Sequence, residues 1–174
     1  MIFEKPSTRT RVSFEVGATQ LGMHALYLSP KDLQIGRGET ISDTAHVLSR
    51  YVDIIMYRAF SNKTMRELAA GASVPVINAL DDVEHPCQIL ADLLTIREHR
   101  RDFRGLKVVY MGDGNNVCNS LMLGAAMVGM DMVVACPRGY EPDAALYEKA
   151  RAIAGKNGSS LNIENDPAKA WAFS

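Results

Sequence analysis

The chain has 174 residues, 47% hydrophobic and 22% charged, with 19 Lys and Arg against 20 Asp and Glu for a formal net charge of -1. That length suggests one domain, or one domain with part of another, and it suffices to bury roughly two-thirds of the unfolded surface without staples. The balanced charge argues against a general nucleic-acid binder, which needs a basic excess for phosphate contacts, so any anion site must be a local cluster.

Cys87, Cys118 and Cys136 are scattered, odd in number and free of any CxxC pair, which fits a reducing, cytoplasmic setting. No apolar run approaches ~18 residues, so no membrane span is expected. Glu4, Lys5 and Pro6 interrupt any signal or transit peptide.

Short apolar runs alternate with longer amphipathic ones. Met1-Ile2-Phe3 reads as the end of a strand, and Ser7 to Leu21 as a helix with Ser7 or Thr8 as N-cap and Gly22 as C-cap. His24 to Leu28 is a short strand, Thr40 to Tyr51 a helix and Val52 to Tyr57 a buried strand. Asn62 to Ala70 is helical and ended by Gly71, Val74 to Asn78 is a strand, and Pro86 to Arg100 is a long helix with proline in its first turn. Strands follow at Leu106 to Met111, Met132 to Cys136 and Leu161 to Ile163, with helices at Val117 to Val128 and Pro142 to Ala154. A further strand and helix look just begun at the C-terminal end.

This alternation implies an α/β fold, a mainly parallel sheet flanked by helices on both faces. The charge-rich run Glu98 to Arg104 marks a boundary, which divides the chain into domains 1–101 and 102–174.

Four segments carry chemistry. Ser7-Thr8-Arg9-Thr10-Arg11 offers three hydroxyls and two guanidiniums where a strand turns into a helix. Free backbone N–H groups and the positive end of a helix dipole make such a turn a phosphate cradle. Residues two apart do not share a helix face, so one arginine should meet the anion and the other make a structural contact. Arg58 follows a buried strand at the end that faces the ligand crevice of a parallel sheet, where it serves either a ligand oxygen or the surface.

His85-Pro86-Cys87-Gln88 opens a helix, with His85 and Gln88 able to point the same way. The histidine can donate to a developing oxyanion and the glutamine can hold an amide. Capping or core packing is the plainer role for the histidine, and Cys87 reads as a small apolar residue. Gly112-Asp113-Gly114-Asn115-Asn116 invites a dinucleotide site. Val117, however, stands where the fingerprint needs a third small residue, and the two asparagines better suit a polar, carboxylate-bearing ligand. His24, His46, His85 and His99 show no metal-ligand spacing, and there is no Gly-x-Ser-x-Gly elbow or Walker sequence.

In order, these segments resemble the carbamoyltransferase family. Phe3-Glu4-Lys5-Pro6-Ser7-Thr8-Arg9-Thr10-Arg11 with Ser13-Phe14-Glu15 is similar to that family's carbamoyl-phosphate loop and helix. His85-Pro86-x-Gln88 with Leu90-Ala91-Asp92-Leu93 resembles its second signature, and Gly36-Arg37-Gly38-Glu39 with Asp43-Thr44 its intervening loop and helix. Gln34-Ile35-Gly36, Tyr57-Arg58 and the 112–116 turn with Ser120 fit the ornithine branch best; the aspartate branch more typically has lysine where Arg37 stands.

The resemblance implies a carbamoyl-phosphate-binding domain followed by part of a Rossmann-like second domain. Its reaction is carbamoyl transfer from carbamoyl phosphate to the side-chain amine of L-ornithine, giving citrulline and phosphate, with no metal or organic cofactor. By position, Ser7, Thr8, Arg9 and Thr10 match phosphate-binding residues, and Arg58 the arginine bridging phosphate and carbonyl oxygen. His85 matches the carbonyl-polarising histidine, Gln88 the residue holding the carbamoyl amide, Gln34 a further carbamoyl-phosphate position and Asn116 an ornithine-binding asparagine. The resemblance also implies a cytoplasmic homotrimer.

Family members are longer at both ends, and their Ser-Met-Gly loop and His-Cys-Leu-Pro segment have no match here, so the chain is expected to be a fragment. Another amine acceptor, a module that only binds carbamoyl phosphate, and a nucleotide-binding Rossmann protein remain as alternatives.

Overall fold

Alternation along single strands determines how this chain is layered. A computed structural model describes residues 1–35 and 38–173. They fall into two compact units, Met1–Asp82 and Val83–Ser174. The expected boundary at 101/102 lies beyond α4 (Pro86–His99), which clusters with the second unit.

In the first unit β1 (Ile2–Phe3), β2 (Ile55–Arg58) and β3 (Val76–Leu80) form a parallel sheet in that order. Successive side chains of a strand point to opposite faces. Ile55 and Tyr57 therefore join a core with Ala45 of α2 (Ile41–Leu48) and Met65 and Leu68 of α3 (Asn62–Gly71). Met56 joins Phe3 and Ala79 on the other face, against Phe14 of α1 (Thr8–Gln20). Burial on both faces explains why Ile55 to Tyr57, leading to Arg58, read as consecutive apolar residues.

The second unit repeats the device. The parallel strands β4 (Lys107–Met111), β5 (Asp131–Ala135) and β6 (Leu161–Glu164) lie in sequence order. Met132 and Val134 pack with α5 (Asn116–Val128) and α6 (Ala144–Asn157), whereas Val133 and Ala135 face Ala170 of α7 (Pro167–Trp171). Parallel sheets with helices on both faces confirm the α/β class.

Several expected boundaries move. His24 to Leu28 forms only a single bridge, Leu28 to Ile2, closed by Phe3 N–H to Leu28 O at 3.0 Å and Leu28 N–H to Met1 O at 2.8 Å. β2 begins at Ile55 because the Val52 amide still bonds back to Leu48 O at 3.1 Å. β3 begins after Pro75, which has no N–H for the ladder but accepts from the Ile55 amide at 3.0 Å.

Gly71, expected to end its helix, is the last residue of α3, with Ala72 as the cap. A Cβ there would sit 3.0 Å from Ser42 Oγ and 3.1 Å from Ser42 Cα, so the glycine allows α2 and α3 to approach. α6 starts at Ala144 because Asp143 caps it, accepting from the Leu146 amide at 2.9 Å. Where a helix was expected just to begin, α7 runs from Pro167 to Trp171 with Asp166 as its cap.

Candidate functional site

Strand register creates the first half of the site. Phe3 pairs with Arg58 in the parallel β1–β2 ladder, so the turn leaving β1 and the end of β2 share one edge of the sheet. That turn runs into α1, where Ser7 is the N-cap, its Oγ accepting from the Thr10 amide at 3.3 Å. The Ser7 hydroxyl also donates to Thr10 Oγ1 at 3.0 Å.

Arg58 is 8% exposed, and burial lowers its guanidinium pKa from the ordinary value, though an arginine keeps its charge. Its Nε donates to Lys5 O at 3.1 Å and its Nη1 to Thr10 Oγ1 at 3.5 Å. Glu4 closes the loop by donating its amide to Arg58 O at 3.0 Å and accepting from the Phe60 amide at 2.9 Å.

Ser7, Thr10 and Arg58 thus form one connected cluster, and Arg58 is no free surface arginine. Thr8 and Arg9 are exposed on the first turn of α1. Arg11 is the structural arginine of the pair, 3.1 Å from Glu15 and stacked 3.8 Å from the centre of the Tyr27 ring. Hydroxyls, a guanidinium and a helix N-terminus converging at a strand end can hold a phosphate group. Gln34 is exposed, and among the described residues no hydrogen bond ties it to the cluster. Gly36 and Arg37, quoted for the intervening loop, lie outside the described residues.

The Tyr57 hydroxyl lies buried beside Glu4 and Thr64 without a well-formed hydrogen bond to either. Burial first, and then Glu4, hold it far above the ordinary tyrosine range. Tyr57 stands in the Tyr57-Arg58 pair quoted above, but nothing in the sequence pattern marked its hydroxyl as buried, nor Lys5 O as the acceptor that aims Arg58.

In the second unit His85 is the N-cap of α4, without a side-chain cap bond, and Pro86 follows at the first helical position. Its carbonyl accepts from the amides of Gln88 at 3.2 Å and Ile89 at 3.4 Å. Gln88 is exposed, its Nε2 donating to Asp92 Oδ1 at 2.9 Å. Cys87 is half-buried and burial pushes its thiol pKa up, which suits a packing residue rather than a nucleophile.

Asn116 is the first residue of α5, half-buried. Its neighbour Asn115 is the cap, accepting from Val117 N–H at 3.0 Å and Cys118 N–H at 3.2 Å. Tyr110 donates its hydroxyl to Asp113 O at 3.1 Å and stiffens the turn. A Cβ on Gly114 would collide with Pro142 N and Glu141 C, and the Gly114 amide donates to Tyr140 O at 2.7 Å. This glycine therefore admits the protein's own backbone, and its N–H is already committed. Among the described residues, no three His, Cys, Asp or Glu side chains gather as metal ligands.

Two family models match in succession. The carbamoyl-phosphate-binding domain of aspartate/ornithine carbamoyltransferases matches residues 1–98, and the aspartate/ornithine-binding domain of the same enzymes matches 104–172. The chain belongs to the aspartate/ornithine carbamoyltransferase family. Within that family it is 61% identical over 170 residues to a catabolic ornithine carbamoyltransferase of Thermoplasma acidophilum, covering 98% of this chain and 56% of that protein. It is 62% identical over 170 residues to the ornithine carbamoyltransferase of Methanothermobacter thermautotrophicus, again covering 98% and 56%.

Among solved structures, the ornithine carbamoyltransferase from Pyrococcus furiosus superimposes with a TM-score of 0.94 at 57% identity, over 98% of this chain and 54% of that one. The chain thus spans about half the length of the relatives it matches. The two models meet between residues 98 and 104, at the charge-rich run.

Proposed function

We propose that this chain forms the carbamoyl-phosphate-binding part, with the start of the acceptor part, of an ornithine carbamoyltransferase. The observation that carries the reading is the connected Ser7–Thr10–Arg58 cluster at a helix N-terminus, in the stretch matched by the carbamoyl-phosphate-binding model. The ornithine carbamoyltransferases among its relatives support the acceptor.

In the proposed reaction the neutral side-chain amine of L-ornithine attacks the carbonyl carbon of carbamoyl phosphate. A C–N bond forms as the carbonyl π pair moves onto oxygen. Collapse of that oxyanion breaks the bond from carbon to the bridging oxygen, which leaves with the phosphate, and the new ammonium loses a proton. Ser7, Thr8, Arg9 and Thr10 hold the phosphate. Arg58 spans phosphate and carbonyl oxygen, with Thr10 and His85 as further donors to that oxygen. Gln88 holds the carbamoyl amide, Gln34 gives a further carbamoyl-phosphate contact, and Asn116 binds ornithine. Positioning and fixed electrostatics supply the rate.

The working enzyme is proposed as a cytoplasmic homotrimer serving arginine synthesis or breakdown, since relatives are named for both directions. The exposed Val12, Val16, Leu21 and Met23 of α1 and its following turn support self-association. The proposed domains are 1–101 and 102–174.

A second acceptor is favoured by one observation: an N-acetyl-L-ornithine transcarbamylase structure shares the fold at a TM-score of 0.87 and 34% identity. Calorimetric titration of the chain with carbamoyl phosphate, inorganic phosphate and NAD should show heat for the first two only. Citrulline formation with ornithine, against product formation with N-acetylornithine, then identifies the acceptor. Binding of NAD without carbamoyl phosphate would overturn the proposal.

A further inference from the structure

α5 packs into the core of the second unit through Cys118, Met122, Leu123, Ala125 and Ala126, yet two polar residues, Asn119 and Ser120, are only 5% exposed in the same helix. Buried polar groups destabilise unless they are partnered, so the partners of these two say what they are for. Ser120 Oγ accepts the His85 amide at 2.8 Å. Asn119 Nδ2 donates to Val83 O at 3.0 Å, and Asn119 Oδ1 accepts the Asp143 amide at 3.2 Å. Both side chains therefore spend their polar atoms on main chain, and both reach the short segment that ends at His85.

The His85 backbone is held on its other side as well. Its carbonyl takes the Gln88 and Ile89 amides, and Pro86 fixes the next φ. With amide and carbonyl both engaged at φ -137° and ψ 63°, the Cα–Cβ direction of His85 is set, and Nδ1 of its ring is enclosed from solvent. Gly124, one turn further along α5, lets this helix lie close to α4, because a Cβ there would sit 2.6 Å from Ile89 Cγ2. Asn116 lies one turn before Ser120 on the same helix, so the helix that begins with Asn116 also places His85.

We propose that Asn119 and Ser120 are positioning residues that fix the main chain at His85 and, through it, the direction of the imidazole. Asn119 additionally ties that segment to the Asp143 cap of α6. The use of this placement in catalysis rests on the role proposed above for His85. The placement itself does not.

The test is nuclear magnetic resonance on the whole chain, with His24, His46 and His99 as internal references. Ser120→Ala should speed exchange of the His85 amide by roughly tenfold or more, since a buried donor loses its acceptor. It should also shift and broaden the His85 ring signals and change their pH titration, while the other three histidines stay put. Ser120→Thr, which keeps the hydroxyl, should restore the His85 signals, and Asn119→Ala should reproduce the defect. Unchanged His85 ring signals in Ser120→Ala would overturn the proposal, as would equal disturbance of all four histidines, which would mark general loosening. If Ser120→Ala fails to fold, Asn119→Ala and Ser120→Thr decide the matter by the same signals. Carbamoyl phosphate titrated into the wild type gives a separate answer: absence of binding counts against the functional reading and leaves the His85 result standing.

Discussion

Arg58 is fixed by three backbone and side-chain partners, and that is what distinguishes it from a solvated arginine. Lys5 O takes Nε, Thr10 Oγ1 faces Nη1, and the Glu4 amide holds the arginine's own carbonyl. In the full-length enzyme proposed above, Arg58→Ala is expected to lower citrulline formation by roughly 10²–10³, the usual cost of removing one oxyanion donor. Arg58→Lys should rescue little, because one ammonium cannot reproduce the fork that serves Lys5 and Thr10 together. Steady-state assays with circular dichroism as a folding control check both, and near-normal turnover in Arg58→Ala would leave Arg58 with a structural role only.

Cys118 gives a second prediction at this scale. Burial first, then Cys136 and Asp113, push its thiol up to about 12 from an ordinary value of 9.0. The folded chain thus keeps a proton that the unfolded chain releases, and this contribution to stability is full below about pH 9 and lost as pH rises towards 12. Urea unfolding at pH 8 and pH 10.5 should show Cys118→Ala losing less stability over that interval than the wild type.

Elements are joined here by close backbone approaches that the sequence marks only as glycines. Gly114 lies under the 141–142 backbone, with its amide on Tyr140 O, which locks the β4–α5 turn against the loop after β5. Gly114→Ala should destabilise the chain by about 1–3 kcal/mol or more, as overpacking against rigid main chain does. The loss should appear in urea unfolding monitored on the 107–173 region. A variant as stable as wild type would mean the loop can give way.

Caps define the elements as clearly as patterns do. Ser7, Thr40, Ser61, Asn115 and Asp143 each accept from an amide of the helix they precede. Of these, only Ser7 was named as a cap from the sequence; the expected starts at Thr40, Asn62, Val117 and Pro142 lie within two residues of the observed caps.

At the scale of the molecule, each unit has its own core and its own parallel sheet. Inorganic phosphate carries no carbamoyl group, so its protection against hydrogen exchange should fall on the Ser7–Thr10 turn and Arg58 and spare residues 107–173. At a concentration ~100 times its Kd, it should stabilise the unit that binds it by about 2.7 kcal/mol. Protection centred on the second unit would relocate the anion site.

Apart from the strand expected at His24 to Leu28, the order of strands and helices, the Ser7 cap, the α/β class and the family were legible from the residues themselves. Apolar period, capping chemistry and a contiguous motif act over a few neighbours, and those the chain states directly. The β2 and β3 starts were misplaced by two or three residues because a late α2 hydrogen bond and a proline, not hydrophobicity, set them. The packing of Gly71 against α2 was not legible for a related reason: its neighbour Ser42 is distant in sequence.

What the sequence determined by itself was which residue types could bind a phosphate and at which turn they stood. Only the tertiary structure decided that Arg58 reaches Thr10, because that depends on the Phe3–Arg58 register of two strands separated by more than fifty residues. It alone decided that Arg11 turns to Glu15 and Tyr27, and that Asn119 and Ser120 turn inward to the segment ending at His85. The physical reason is the same in each case: a polar group takes the partner that packing brings within hydrogen-bond reach, and packing is settled by the whole core rather than by neighbours in the chain.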